Sequence, residues 1–235
     1  MNIKKITLCQ SEKWNYDILP RRLDSDYEPC YEYKYPFSKD IALDCERIVF
    51  KLKENNVLSD VCRNLNIVFI TENALKKTEL MSFIAFNQKD MRFVNTYVNT
   101  DEFNNLNDKQ KRNVIFKRIC EAIIIVSESE KKGLIEQICN DVYVISDEME
   151  CLFLNKTLKK YSVNVKFRSS LSGYTAILYI KNNITLQQQS VVLFDKGTFA
   201  DLEYRLNRII VKNNRCIIQP KNDKTDDPII VDIDV

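Results

Sequence analysis

The sequence predicts an α+β fold: a mostly antiparallel sheet, with the C-terminal half strand-rich, covered by two or more amphipathic helices. Three observations predict it. Residues 161–168 alternate apolar and polar side chains without a break, so Tyr161, Val163, Val165 and Phe167 share one face. Ser162, Asn164, Lys166 and Arg168 share the other, the pattern of a half-buried antiparallel strand. Two further β-rich runs follow at 174–181 and 186–194. Finally, strands cluster along the chain rather than alternating with helices, which argues α+β over a doubly wound parallel sheet.

In chain order, 2–9 reads as a first strand. Residues 10–37 have no period and hold Trp14, Pro20, Pro29 and Pro36, so they read as an irregular connection. Ser38 or Asp40 caps a helix to about 55, with Ile41, Cys45, Ile48, Val49 and Leu52 on one face. Residues 66–71 read as a buried strand, and 81–86 with 91–98 as a hairpin about 87–90. Asn107 or Asp108 caps a second helix to 126, with Ile115, Phe116, Ile119 and Ile123 facing inward. Its last residues, 122–126, are apolar on every side, which places it at the centre of the core.

Helical spacing recurs near 130–141 and 147–159; the second has Met149, Leu152, Phe153 and Lys156 at intervals of three and four. Beyond the β-rich block, Thr198 and Asp201 form a capping box for a short helix carrying Leu202 and Leu206. Strands at 208–212 and 215–219 flank Asn213-Asn214, a two-residue turn suited to positive φ. Residues 221–227 read as a charged loop and 229–233 as a last edge strand. The organisation expected is one domain over 1–235 whose halves share a core; the alternative subdivision is 1–160 and 161–235.

Composition narrows the class. The 235 residues can bury a sizeable core, and 45% apolar with 29% charged is ordinary for a globular protein. Only 3 glycines occur, and 23 asparagines take over turn positions. Against 35 basic residues stand 33 acidic ones, a net +2 that predicts no strong attraction to nucleic acid or an anionic membrane. The N-terminus has no apolar run behind its lysines, and 114–126 is too short and too charged to span a bilayer. The 8 cysteines, at 9, 30, 45, 62, 120, 139, 151 and 216, form no C-x-x-C pair and no zinc spacing. They read as free, mostly buried thiols of a cytoplasmic protein.

The chemistry is bounded by what the chain lacks. With 0 histidines there is no Ser-His-Asp or Cys-His catalysis and no histidine metal site. Neither G-x-x-x-x-G-K-[ST] nor G-x-G-x-x-G occurs, so no phosphate cradle of those kinds is present. Glu148 with Glu150, or Asp223 with Asp226 and Asp227, are the carboxylate groups that could approach a divalent cation. Their spacing matches no Ca²⁺ loop, and they read as solvated acids. No metal, cofactor or catalytic residue is therefore expected, with a carboxylate-dependent enzyme as the alternative. A basic group, Lys156, Lys159, Lys160, Lys166 and Arg168, with Arg205, Arg208, Lys212 and Arg215 further on, would form a nucleic-acid patch only if gathered on one face.

The most unusual local composition lies at 24–35, where Asp24, Asp26, Glu28 and Glu32 interleave with Tyr27, Tyr31, Tyr33 and Tyr35. Tyrosine offers rigid contact area and a hydroxyl, and neighbouring acids suit a basic partner surface. These eight residues are the candidate partner-binding set. In style the chain resembles the immunity proteins encoded beside bacterial toxins: small, α+β, rich in Asn, Lys and Ile, without a catalytic signature. That resemblance implies a cytoplasmic protein that binds and blocks one protein partner, such as a basic toxin domain, and assigns no active-site residue.

Overall fold

The computed structural model describes residues 2–10, 39–59, 62–70, 91–222 and 226–235. They fall into two compact units, Met1–Val144 and Ile145–Val235. Together they are α+β: among the described strands seven lie in two antiparallel sheets and three in a parallel one. Among the described residues no helix is long and apolar enough to cross a membrane.

The first unit holds β1 (Lys5–Gln10), α1 (Lys39–Glu54), β2 (Asn64–Ile70), β3 (Met91–Tyr97), α2 (Thr100–Asn105), α3 (Asp108–Val126) and α4 (Lys132–Ile145). Its sheet runs β1-β2-β3, and every pair is parallel. Alternate residues of β2, Leu65, Ile67 and Phe69, are fully buried, so this central strand builds the core. α1 packs on β1 and places Ile41, Cys45, Ile48, Val49 and Leu52 inside, the stripe its spacing predicts. α3 packs on β2 and β3 and starts with a full capping box: Asn107 accepts from the Gln110 N–H, and the Gln110 side chain accepts from the Asn107 N–H. Ser59, between α1 and β2, donates to the Val126 carbonyl at 2.7 Å, tying that connection to the end of α3.

Two expectations change here. The 91–98 run is a strand, but its described neighbour is β2 in parallel register, not a hairpin arm; residues 81–86 lie outside the described set. Hairpin reasoning weighs only adjacent residues, whereas parallel pairing joins stretches that are distant in sequence. The end of α3 is not buried all round either. Ile119, Ile123 and Val126 are buried, while Ile125 is 70% exposed, because one residue's 100° rotation turns it away from the sheet.

The second unit holds β4 (Cys151–Thr157), β5 (Tyr161–Ser170), β6 (Gly173–Asn182), β7 (Gln188–Gly197), α5 (Phe199–Arg205), β8 (Arg208–Lys212), β9 (Arg215–Gln219) and β10 (Ile229–Asp232). β4-β5-β6-β7 form an antiparallel meander, and β10-β9-β8 a second antiparallel sheet with β10 at an edge. Cross-strand rows fill one face of the meander. Cys151, Phe167 and Ala176 stand in line, and Val165 faces Leu178 as Val163 faces Ile180, all buried. α5 lies against β6 and β7 and β8 against β4, contributing buried Leu202, Leu206 and Ile209.

The helix expected over 147–159 is a strand, β4, preceded by a short 3-10 turn at Ser146–Glu148. The ladder to β5 shifts register between Leu152 and Leu154, a bulge. One inserted residue breaks period two, and the surviving apolar spacing then imitates a helix. The Asn213-Asn214 turn is as expected, with φ of 52° and 54°. At the β5–β6 turn Gly173 has φ +127°, and an added Cβ would lie 2.7 Å from the Gly197 carbonyl oxygen, so only glycine fits.

Candidate functional site

The eight acidic and tyrosine residues at 24–35 lie outside the described residues, so the contact set read from sequence has no geometry here. What the structure does build is a polar cluster on the open face of the meander.

That face exists because β5 alternates. Its buried row faces the core, and Ser162, Asn164, Lys166 and Arg168 stand half-exposed on the other side. In the ladder Lys166 pairs with Leu152 on one side and Ile177 on the other, and Asn164 with Tyr179, so these side chains share the open face. Glu150, at the entry to β4, is the hub. Its Oε1 accepts from the Tyr179 hydroxyl at 2.6 Å and from Arg168 Nη2 at 3.0 Å, and its Oε2 from Lys166 Nζ at 3.4 Å. Arg168 Nη1 also donates to Glu148 at 2.8 Å. The Lys166 ammonium lies 5.1 Å over the Tyr179 ring.

Partial burial alone would raise the Glu150 carboxyl, but the Tyr179 hydroxyl and the Arg168 and Lys166 cations outweigh it and hold it below the usual glutamate value. Arg168 is held more firmly protonated by its bond to Glu150. Partial burial and the bond to Glu150 push Tyr179 up. The arrangement therefore fixes a tyrosine and an arginine in one orientation on a broad strand face. Both Glu150 oxygens already accept, while Glu148, bonded to Arg168, stays mostly exposed.

The other sequence candidates are scattered. Asp226 and Asp227 are exposed, and Asp223 lies outside the described residues. Among the described residues no group of three or more Cys, Asp or Glu could hold a metal ion. Several of the basic residues are engaged locally, and Lys212 stands opposite Arg215 in the β8–β9 ladder. Lys166 and Arg168 pair with Glu150, Lys156 donates to the Ile209 carbonyl at 2.9 Å, and Arg215 pairs with Asp232 at 2.9 Å. Lys160 lies over the Tyr161 ring and Arg205 over the Phe194 ring.

Sequence reasoning missed a buried constellation in the first unit. Asp44 on α1 is 0% exposed and Arg47 1%. Asp44 Oδ1 accepts from Arg47 Nη1 at 2.6 Å, and Oδ2 from Arg112 Nη2 at 2.8 Å and Nε at 3.3 Å. The Arg112 guanidinium lies 5.2 Å from both the Phe116 and Tyr143 rings, which themselves meet edge-on at 5.1 Å. Burial pushes the Asp44 carboxyl up, opposed by Arg112 and Arg47. The cluster joins α1, α3 and α4. Its one visible signal was Asp44 and Arg47, three apart, inside the apolar stripe of α1.

No protein-family model matches the chain, and neither a curated protein nor a solved structure is significantly similar to it.

Proposed function

We propose that the chain is a non-catalytic protein-binding protein of the cytoplasm, acting by occupying one protein partner, as a toxin inhibitor does. The observation that supports this reading best is the Glu150 cluster. Arginine and tyrosine dominate interface hot spots because they combine contact area with directed hydrogen bonds. Here Glu150 holds one of each, Arg168 and Tyr179, so little side-chain entropy remains to be lost on binding. The sequence supports the same reading through the acid- and tyrosine-rich 24–35 segment, whose charge suits a basic partner. Chemistry by histidine is excluded outright, since the chain has 0.

The test is direct binding, with the product of the neighbouring gene as first candidate partner. The purified pair should form a stoichiometric complex. Tyr179→Ala and Arg168→Ala, or Tyr31→Ala and Tyr33→Ala, should each weaken it by about 2 kcal/mol where the residue is an anchor. Thermal midpoints should stay nearly unchanged for Tyr31→Ala and Tyr33→Ala, and fall by no more than the small Glu150 contribution for Tyr179→Ala and Arg168→Ala. Lost stability with affinity intact would make those side chains structural. Failure of affinity capture from the native host to yield any partner that binds again in purified form would remove the reading.

A further inference from the structure

We propose that Cys120 and Cys139 form an oxidisable dithiol that closes to a disulfide between α3 and α4 when the protein meets a hydroperoxide. The inference starts from helix register. Phe116 on α3 meets Tyr143 on α4, and Arg112 reaches the same Tyr143 ring from one turn earlier. Cys120 is four residues after Phe116, and Cys139 four residues before Tyr143. On antiparallel helices those steps advance both chains by one turn in the same direction, so the cysteines face each other as the rings do. The thiols are in fact hydrogen-bonded to one another, and both cysteines are free.

The two sulfurs are not equivalent. Cys139 is buried and Cys120 only partly so. The hydrogen bond from Cys139 draws the Cys120 thiol down, against burial and the charges of Glu136 and Glu121, with Lys132 assisting. The same bond, with burial, pushes Cys139 up. The partly exposed sulfur is the one a peroxide in solvent can reach, and thiolates are the nucleophiles in this chemistry. The Cys120 thiolate attacks one peroxide oxygen; the O–O bond breaks, hydroxide leaves and takes a proton to become water, and Cys120 becomes a sulfenic acid. The Cys139 sulfur then attacks the Cys120 sulfur. The S–S bond forms, the S–O bond breaks, and the departing hydroxide takes the Cys139 proton as a second water. Two thiols lose two electrons, and one hydrogen peroxide gains them.

Four other cysteines are less accessible than Cys120. Cys45 is near enough to Cys139 to act on its charge but is fully buried, and Cys62, Cys151 and Cys216 are buried. Cys45 is therefore the natural competitor for Cys139.

The experiment treats the full chain with hydrogen peroxide, quenches with an alkylating agent and maps the peptides. The expected result is a mass loss of two hydrogens, two fewer thiols than the 8 of the sequence, and one cross-linked peptide joining Cys120 to Cys139. Dithiothreitol should reverse it. Cys139→Ala should leave Cys120 as a sulfenic acid that dimedone traps, while Cys120→Ser should give neither cross-link nor adduct at 139. Wild-type protein that keeps its circular dichroism spectrum yet shows no intrachain cross-link overturns the proposal. So does a cross-link of Cys139 to Cys45.

Discussion

Asp44 and Glu150 are both carboxylates surrounded by cations, and their surroundings give them opposite behaviour. Asp44 is 0% exposed and accepts from two guanidiniums. Removing it leaves Arg47 and Arg112 without that counter-charge in the interior, and breaking a buried pair from one side costs about 3–5 kcal/mol. Asp44→Ala should lower the urea midpoint accordingly; a change under about 1 kcal/mol, the range of exposed pairs, would mean the pair is solvated. Glu150 keeps part of its surface in water, and its carboxyl is held below the usual value. A group whose pKa is lower folded than unfolded stabilises above the unfolded value, near 4.3 for glutamate, and loses that contribution as pH falls through the folded value. Wild type should therefore be more stable than Glu150→Gln at pH 7, with the gap closing as pH falls below about 4. A gap that widens in acid would reverse the sign of the shift. Neither role was legible in sequence: Asp44 sits among apolar residues like many exposed acids on a helix, and Glu150 acquires its partners from β5 and β6, more than fifteen residues away.

Helix α3 was the most legible element, because its cap and its inward stripe are local. Asn107, Ile115, Phe116, Ile119 and Ile123 all do what their spacing implies. Ile123→Ala should cost about 2–5 kcal/mol of stability, as burial of a large aliphatic residue dictates. Ile125→Ala, two residues on but 70% exposed, should stay within about 0.5 kcal/mol. Equal effects would show that the helix is rotated from the position described. The β5–β6 turn makes a different demand. Gly173→Ala meets both positive φ and the Gly197 carbonyl at 2.7 Å, so it should destabilise by about 1–3 kcal/mol; a neutral result in thermal melts would mean the turn can rearrange. β4 was illegible for a physical reason: its bulge at Leu152–Leu154 erases period two, and pairing with β5, not its own composition, makes it a strand.

At the scale of the whole chain, thiol chemistry tests the picture. Cys45, Cys62, Cys120, Cys139, Cys151 and Cys216 are free, and denatured protein prepared without added oxidant should titrate 8 thiols, the number in the sequence. Four or fewer would point to an oxidising compartment. By itself the sequence determined the α+β class, the alternating strands of the second unit, the asparagine turn, the caps of α3 and α5 and the exclusion of histidine chemistry. These depend on residue type and on spacings within one element, where side-chain direction follows from backbone geometry alone. Only the tertiary structure decided that β1, β2 and β3 run parallel, that β4 is a strand, and that Arg168 and Tyr179 converge on Glu150. It alone brought Cys120 beside Cys139. Each of those facts joins residues from different elements, and such contacts are set by how buried faces pack together, which no local period encodes.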